Sequence, residues 1–216
     1  REAPAAVVDQ VGKGTPAARS EAVRKLAAAD NVEAAVAAVV PALADADAGV
    51  RFTAALAVAT LAGRAGDVDQ SPDVADDKAA GPGDDDENDP FAAAVPHLLE
   101  MLADSDPHLV RAAAAAIGAI GPVDGPEPAD DAVDALRRAL AAAADPETRA
   151  ACIVAIADYG PVAESAVPHL IRALGDESAV VREAAAAALA AIGPEARAAS
   201  APLSKLLRGD EPLVRD

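Results

Sequence analysis

The sequence predicts an all-α protein in which short antiparallel helices stack in pairs as a right-handed α-solenoid of about five pairs. Hydrophobic residues make up 52% of the 216-residue chain, but aromatic residues make up only 1%. Most of the apolar residues are alanines, which favour helices and let helix axes approach closely. Similar turn and helix signals also recur along the chain. Because neither helix of such a pair can bury its apolar face alone, the pairs must stack on their neighbours.

The recurring mark is an arginine that closes a turn and opens a helix. Six turns align on this residue, at 15–19, 45–51, 106–111, 145–149, 176–182 and 210–215. Successive arginines are 32, 60, 38, 33 and 33 residues apart. The sequence therefore predicts a period near 33 residues, interrupted by one long and one short insertion.

Each repeat carries start, core and stop signals for the helix after the turn. Thr15-Pro16, Asp106-Pro107 and Asp145-Pro146 each combine a capping side chain with proline at the first helical position. Gly-Pro ends three helices, at residues 121, 160 and 193. Small residues three positions after the arginine and large residues seven or ten positions after it lie on one helical face, which predicts the core. They are Ala22, Ala54, Ala114, Cys152 and Ala185, then Leu26, Ile156 and Leu189, then Tyr159 and Ile192.

The partner helix precedes each turn and is marked by Val-Pro at residues 40, 95 and 167 and by Ala201-Pro202. With these residues, the stretch from Ala166 to Ala185 resembles the HEAT repeat, especially the short variety of the phycobilisome lyases. The resemblance covers about residues 3–63 and 91–216. It implies a ladder of hydrogen bonds between each helix-start arginine and a turn aspartate of the adjacent repeat. Armadillo and tetratricopeptide arrays fit less well, because their third helix and their Trp and Tyr positions are missing.

We expect one solenoid over residues 1–216 with an acidic loop at 64–90, which holds ten carboxylates and almost no apolar residue. A shorter loop is expected at 122–130. Both ends look cut, since the chain begins at Arg1 and stops where another helix should start. The apolar Leu203 and Leu206 near the end predict a further helix or a docked partner there.

The net charge is -18, from 36 acidic and 18 basic residues. This acidity resembles proteins of extreme halophiles, and an acidic protein from a GC-rich bacterium is the alternative. In dilute salt it disfavours nucleic acid and anionic membranes, although screening at about 1 M salt weakens that argument. No apolar run is long enough to cross a bilayer and no signal peptide opens the chain, so we expect a cytoplasmic protein without membrane contact.

Nothing in the sequence predicts catalysis, a metal site or a cofactor. The di-iron hydroxylases of this architecture carry His-Glu dipeptides, whereas His97, His108 and His169 are each followed by leucine. Cys152 occupies a slot where other repeats have alanine, which favours a structural thiol. Asp84-x-Asp86-x-Asn88 begins like a calcium loop but lacks the required glycine and final glutamate, so only weak calcium binding could be expected.

We therefore predict a non-catalytic scaffold that binds another macromolecule, most simply a protein. In proteins that this one resembles, the second helices line the concave face. That resemblance suggests partner contacts at Phe52, Arg51, Arg111, Arg149 and Arg182. A nucleic-acid or ribonucleoprotein binder working in high salt and a catalytic or lyase-subunit HEAT protein are the alternatives. The sequence predicts neither the partner's identity nor the oligomeric state.

Overall fold

A computed structural model of the chain describes residues 5–69, 90–122, 126–201 and 204. Every regular element within these residues is helical. The α-helices are α1 (Ala5–Val11), α2 (Pro16–Ala27), α3 (Val32–Val39), α4 (Ala48–Asp69), α5 (Val95–Met101), α6 (Pro107–Ile120), α7 (Pro126–Ala142), α8 (Pro146–Asp158), α9 (Val167–Ala173) and α10 (Ala179–Ile192). Short 3-10 helices span Val40–Ala44, Gly160–Ala166 and Gly193–Ala199. The predicted all-α fold of helical pairs is confirmed.

The chain divides into two compact units, Arg1–Met101 and Leu102–Asp216. In the first unit, α2 packs against α1, α3 and α4, and α4 also packs against α3 and the Val40–Ala44 helix. In the second unit, α8 packs against α6, α7 and α10, and α10 packs against α9. The second helices of successive pairs, α6, α8 and α10, therefore form one layer of the second unit. A single domain over 1–216 stays a prediction.

The helices after the turns begin where the capping signals placed them. Thr15 Oγ1 accepts the Ala18 N–H, Asp106 Oδ1 accepts the His108 N–H and Asp145 Oδ1 accepts the Thr148 N–H. Asp47 caps α4 by accepting from the N–H groups of Gly49 and Val50. These bonds satisfy amide donors that the first turn of a helix leaves without a partner.

The predicted glycines end the helices with positive φ angles, +70° at Gly121, +54° at Gly160 and +75° at Gly193. A residue with a Cβ rarely adopts this backbone conformation, whereas glycine adopts it freely. The three Gly-Pro signals are therefore confirmed as helix stops.

The predicted core positions are buried throughout. The small residues three positions after each arginine and the large ones at the seventh and tenth positions are at most 3% exposed. Cys152 and Ile156 of α8 are fully buried, and Tyr159, directly after that helix, is 3% exposed. Burial of such side chains is the main force that holds neighbouring helices together.

Two loop boundaries differ from the prediction. Helix α4 continues past the expected start of the acidic loop to Asp69, and the Arg64 guanidinium donates a 3.0 Å hydrogen bond to the Ala27 carbonyl at the end of α2. That bond satisfies a helix-end carbonyl and fixes Arg64 on the helix. In the shorter loop, α7 already begins at Pro126, since proline is well tolerated in a first helical turn.

The remainder of the acidic loop, at residues 70–89, and the calcium-like Asp84, Asp86 and Asn88 lie outside the described residues. So do the C-terminal residues Leu203, Leu206 and Val214. The three 3-10 helices among the described residues were not predicted, because elements of only five to seven residues are too short to show a periodic apolar signal.

Candidate interaction surface

Arginine and aspartate form the predicted ladder at the turns that precede the second helices. Arg19 donates from Nε and Nη2 to the two carboxylate oxygens of Asp45, both at 2.7 Å. Arg149 binds Asp176 in the same two-pronged way, both at 2.9 Å. Each bond pair joins the second helix of one helical pair to the turn of the next pair, and bidentate geometry of this kind gives strong, directional hydrogen bonds.

The ladder carboxylates also cap their own turns. Asp45 accepts the Asp47 N–H and Asp176 accepts the Ser178 N–H. The hydrogen bond from Arg19 is the main reason that the pKa of Asp45 is lowered. Burial by itself raises the pKa of Asp176, but the hydrogen bonds from Arg149 and Ser178 outweigh it, so that pKa is lowered as well. Both side chains therefore stay ionised in the fold.

The arginines are held from a second side by carbonyls of their own turns. Arg51 donates to the carbonyls of Asp45 and Ala46, Arg149 to those of Ala143 and Ala144, and Arg182 to those of Asp176 and Glu177. In each case the acceptors lie six and five residues before the arginine. These bonds favour a structural role for the arginine row.

One arginine–aspartate link of the ladder, called a rung from here on, is irregular in the second unit. The carbonyl six residues before the arginine belongs to Asp45 in the turn before α4 and to Asp176 in the turn before α10, but to Ala143 in the turn before α8. Ala143 thus stands where the ladder carboxylate should be. Arg111 instead makes one 3.4 Å contact with the cap residue Asp145 through Nη1, and its Nη2 lies 2.8 Å from His108 Nδ1.

A register shift accompanies this weak rung. Arg111 lies five residues after its cap residue Asp106, whereas Arg149 lies four residues after Asp145. One residue rotates a side chain by about 100° around a helix. The Arg111 side chain is 30% exposed, while that of Arg149 is 15% exposed.

The predicted partner contacts fall into two groups. Arg111, Arg149 and Arg182 begin three packed helices of the second unit, so they lie along one edge of it. Arg51 and the half-exposed Phe52 are neighbours on α4 in the first unit. Whether any of them touches a partner stays a prediction.

The second helices also share an exposed slot, nine residues after each helix cap, that was not predicted from the sequence. This slot is exposed in all five second helices and holds Arg24, Leu56, Ala115, Val154 and Ala187. Leu56 is 42% and Val154 53% exposed, and Val180 near the start of α10 is 60% exposed. The repeat alignment could have indicated this slot, because it lies on the opposite side of the helix from the buried positions.

No described residues assemble a reactive centre. Within the ranges that the structure covers, no three His, Cys, Asp or Glu side chains are grouped to bind a metal, and no helix could span a membrane. Burial raises the pKa of the Cys152 thiol to about 12, so the thiol stays protonated and unreactive. Burial lowers the pKa of His169, which favours the neutral form of that ring.

Comparison with known proteins identifies the repeats. The HEAT repeats family matches residues 78–157 and 133–216. The chain belongs to the HEAT-repeat family. No curated protein matches the chain.

Solved structures show a likeness of fold to this HEAT protein. An engineered protein from the Northeast Structural Genomics Consortium has a TM-score of 0.68 and 24% identity, over 97% of this chain and 91% of that one. A designed armadillo repeat protein in complex with the peptide (KR)4 has a TM-score of 0.68 and 20% identity, over 94% and 90% of the two chains. Another designed armadillo repeat protein has a TM-score of 0.67 and 22% identity, over 97% and 94%. At these identities the likeness shows the solenoid fold alone.

Proposed function

We propose that this HEAT protein is a non-catalytic scaffold that binds a protein partner across the exposed face of α6, α8 and α10. The observation that carries the proposal is the layer that these three helices form in the second unit. The exposed slot of this layer holds Ala115, Val154 and Ala187, whose small side chains form a shallow, mainly apolar surface. Exposed apolar side chains in adjacent positions are typical of protein-binding surfaces.

Carboxylates border this face and indicate the partner's charge. Glu147 and Glu183 are exposed near the starts of α8 and α10, and Asp158 is exposed at the end of α8. Although Asp158 as a residue is exposed, its carboxylate lies against Gly118 of α6, and this partial loss of water raises the pKa of Asp158. A basic partner segment would relieve that cost and match the chain's net charge of -18. The structurally similar designed protein in complex with (KR)4 is consistent with a basic peptide as partner.

Nucleic-acid binding is the weaker alternative. It would need arginines that are available to phosphates, and Arg19 and Arg149 are each bound to two carboxylate oxygens. Arg111, with its single long ion pair, is the best candidate for a partner contact within the arginine row. We propose Arg111, Arg149 and Arg182 as partner contacts along the helix starts of the second unit. Arg51 and Phe52 are proposed separately, as contacts at the start of α4 in the first unit.

Two further properties are proposed from the composition and the sequence resemblance. The acidic surface is a halophilic adaptation in a cytoplasmic protein, and the repeats are of the short phycobilisome-lyase type. The salt adaptation predicts that helicity falls as salt is removed, because screening of like charges is lost. An unchanged circular dichroism signal between about 3 M and 0.1 M salt would exclude that adaptation.

The binding face is tested by comparing two valine variants. We would immobilise wild type, Val154→Glu and Val162→Glu, expose each to extract of the source cells at native salt, and quantify retained proteins by mass spectrometry. Val162 is a suitable control because it is 45% exposed but lies in the Gly160–Ala166 helix. A partner should be retained by wild type and Val162→Glu and lost with Val154→Glu. Equal retention by all three would contradict the proposed face.

A further inference from the structure

A cavity lies in the second unit where the irregular rung of the ladder is found. It has a volume of about 280 Å³ and lies between the turn before α6 and the turn before α8. Leu102, Pro107, Val110 and Ala139 are among the residues that form its apolar wall. A water molecule needs only about 30 Å³ in the liquid, so the cavity has room for a side chain.

The cavity exists because the turn before α8 is built from small residues. Ala142, Ala143 and Ala144 all line it, and Ala143 stands where the other turns carry the ladder aspartate.

Two acceptor groups at the start of α8, on the cap residue Asp145 and on Thr148, line the same cavity. Thr148 is 2% exposed, and its buried Oγ1 makes no hydrogen bond of acceptable geometry. The Asp145 carboxylate lies in the same cavity wall, and its contacts with Thr148, which include the 2.8 Å bond from the Thr148 N–H, lower the pKa of Asp145. A buried hydroxyl without a good partner is costly, and such a group indicates that something else completes the site.

We propose that this cavity binds a lysine side chain of the partner. The alkyl stem would lie along Leu102, Val110 and Ala139, and the ammonium group would donate to Thr148 Oγ1 and to the Asp145 carboxylate. This inference rests on the proposed function, since it names a side chain of the basic partner. The first turns of α6 and α8 line the cavity, and the same two helices contribute Ala115 and Val154 to the proposed binding face.

The hydrogen bonds of Asp145 favour lysine over arginine. Its Oδ1 already accepts from the Thr148 N–H at 2.8 Å and from Arg111 at 3.4 Å. Both of the hydrogen bonds that the described residues donate to Asp145 end on Oδ1, so Oδ2 is left for a ligand. A single oxygen suits the point charge of an ammonium group better than the two-pronged guanidinium. A carboxylate ligand is disfavoured, because Asp104 and Asp145 both line the cavity.

The test uses four short peptides, acetyl-Gly-X-Gly-amide, where X is lysine, norleucine, arginine or glutamate. Binding is followed in the full chain by NMR of the Thr148, Val110 and Leu102 methyl groups. The lysine peptide should shift these signals saturably, with a dissociation constant on the order of 1 mM. Norleucine has the same length without the charge and should bind about tenfold more weakly, because it makes no charged hydrogen bond.

Three variants locate the site. Ala139→Leu should fill the cavity and abolish the shifts, and Thr148→Val should weaken lysine binding roughly tenfold by removing the hydroxyl. Thr60→Val is the matched control, because it removes an exposed hydroxyl from α4 of the first unit and should change nothing. Melting curves of the variants verify that each is folded.

The possible outcomes separate the cavity from the binding face. Equal binding of norleucine, equal or tighter binding of arginine or glutamate, or absence of shifts at about 10 mM lysine peptide would overturn the lysine site. Lysine binding that both cavity variants weaken would support it, even if the capture experiment with Val154→Glu failed. Conversely, if capture of a partner depends on Val154 but the lysine peptide does not bind, the lysine site is wrong and the proposed function still stands.

Discussion

The bond between Arg149 and Asp176 should be a measurable link between two helical pairs, and a double-mutant cycle can determine its strength. Both side chains are 15% exposed, and two 2.9 Å hydrogen bonds join them. Exposed ion pairs contribute about 0.2–1 kcal/mol, and hydrogen bonds to buried charged groups about 1.5–3 kcal/mol. For this largely buried pair we expect a coupling energy of about 1–2 kcal/mol at pH 7. It would be measured by urea unfolding of wild type, Arg149→Ala, Asp176→Ala and the double variant.

The irregular rung supplies the control for this measurement. Arg111 and Asp145 make one 3.4 Å contact and their side chains are 30% and 33% exposed, so the same cycle should give less than about 0.5 kcal/mol. Because the pKa of Asp176 is lowered in the fold, its contribution is present above the unfolded pKa and is lost as pH falls through the folded value. Equal coupling in the two cycles, or coupling in the first that survives protonation of Asp176, would refute the ladder argument.

Three other predictions concern the second unit. Ala143→Asp should complete the irregular rung and raise the melting temperature by about 2–4 °C in scanning calorimetry, with no gain when Arg111 is also replaced by alanine. Gly118→Ala should lower stability by about 1–2 kcal/mol in urea unfolding despite better helix propensity, because the new Cβ would lie 2.5 Å from Asp158 Oδ2 and 3.0 Å from the Ala155 Cα of α8. A gain in stability would contradict this prediction, because it would show that α6 and α8 can move apart without loss of free energy. Cys152 should react with a thiol reagent at pH 8 only as fast as the protein opens, since it is fully buried with a pKa of about 12, and rapid labelling of the native protein would contradict this.

Local signals determined how much of the fold could be predicted. A cap such as Asp145 with Pro146, a stop such as Gly193, and the buried Ala185 and Leu189 each act within a few residues of the chain, so the sequence displays them directly. Helix α4 was misjudged because the bond that holds Arg64 has its acceptor on α2. Such a contact between helices has no local signal in the sequence.

The candidate site was predictable only in part, for the same reason. The family resemblance implied the ladder, and two rungs of the described residues follow it. The one-residue shift of Arg111 was visible in the sequence, but aligning the repeats on the arginine concealed it. The missing carboxylate was visible even in that alignment, since Ala143 stands six residues before its arginine, where Asp45 and Asp176 stand in other repeats. Aligning them on the helix caps reveals the shift, the exposed Val154 slot and the turn that forms the cavity.

The single tyrosine of the chain gives the second unit an optical signal of its own. The protein has no tryptophan, and Tyr159 is 3% exposed in the second unit. Its ultraviolet fluorescence therefore reports on that unit alone, whereas far-ultraviolet circular dichroism averages the helices of both. Melting curves recorded by the two signals would coincide if the units unfold together and separate if they unfold in turn. The wild-type chain can thus report, without any added label, whether its two halves act as one cooperative body.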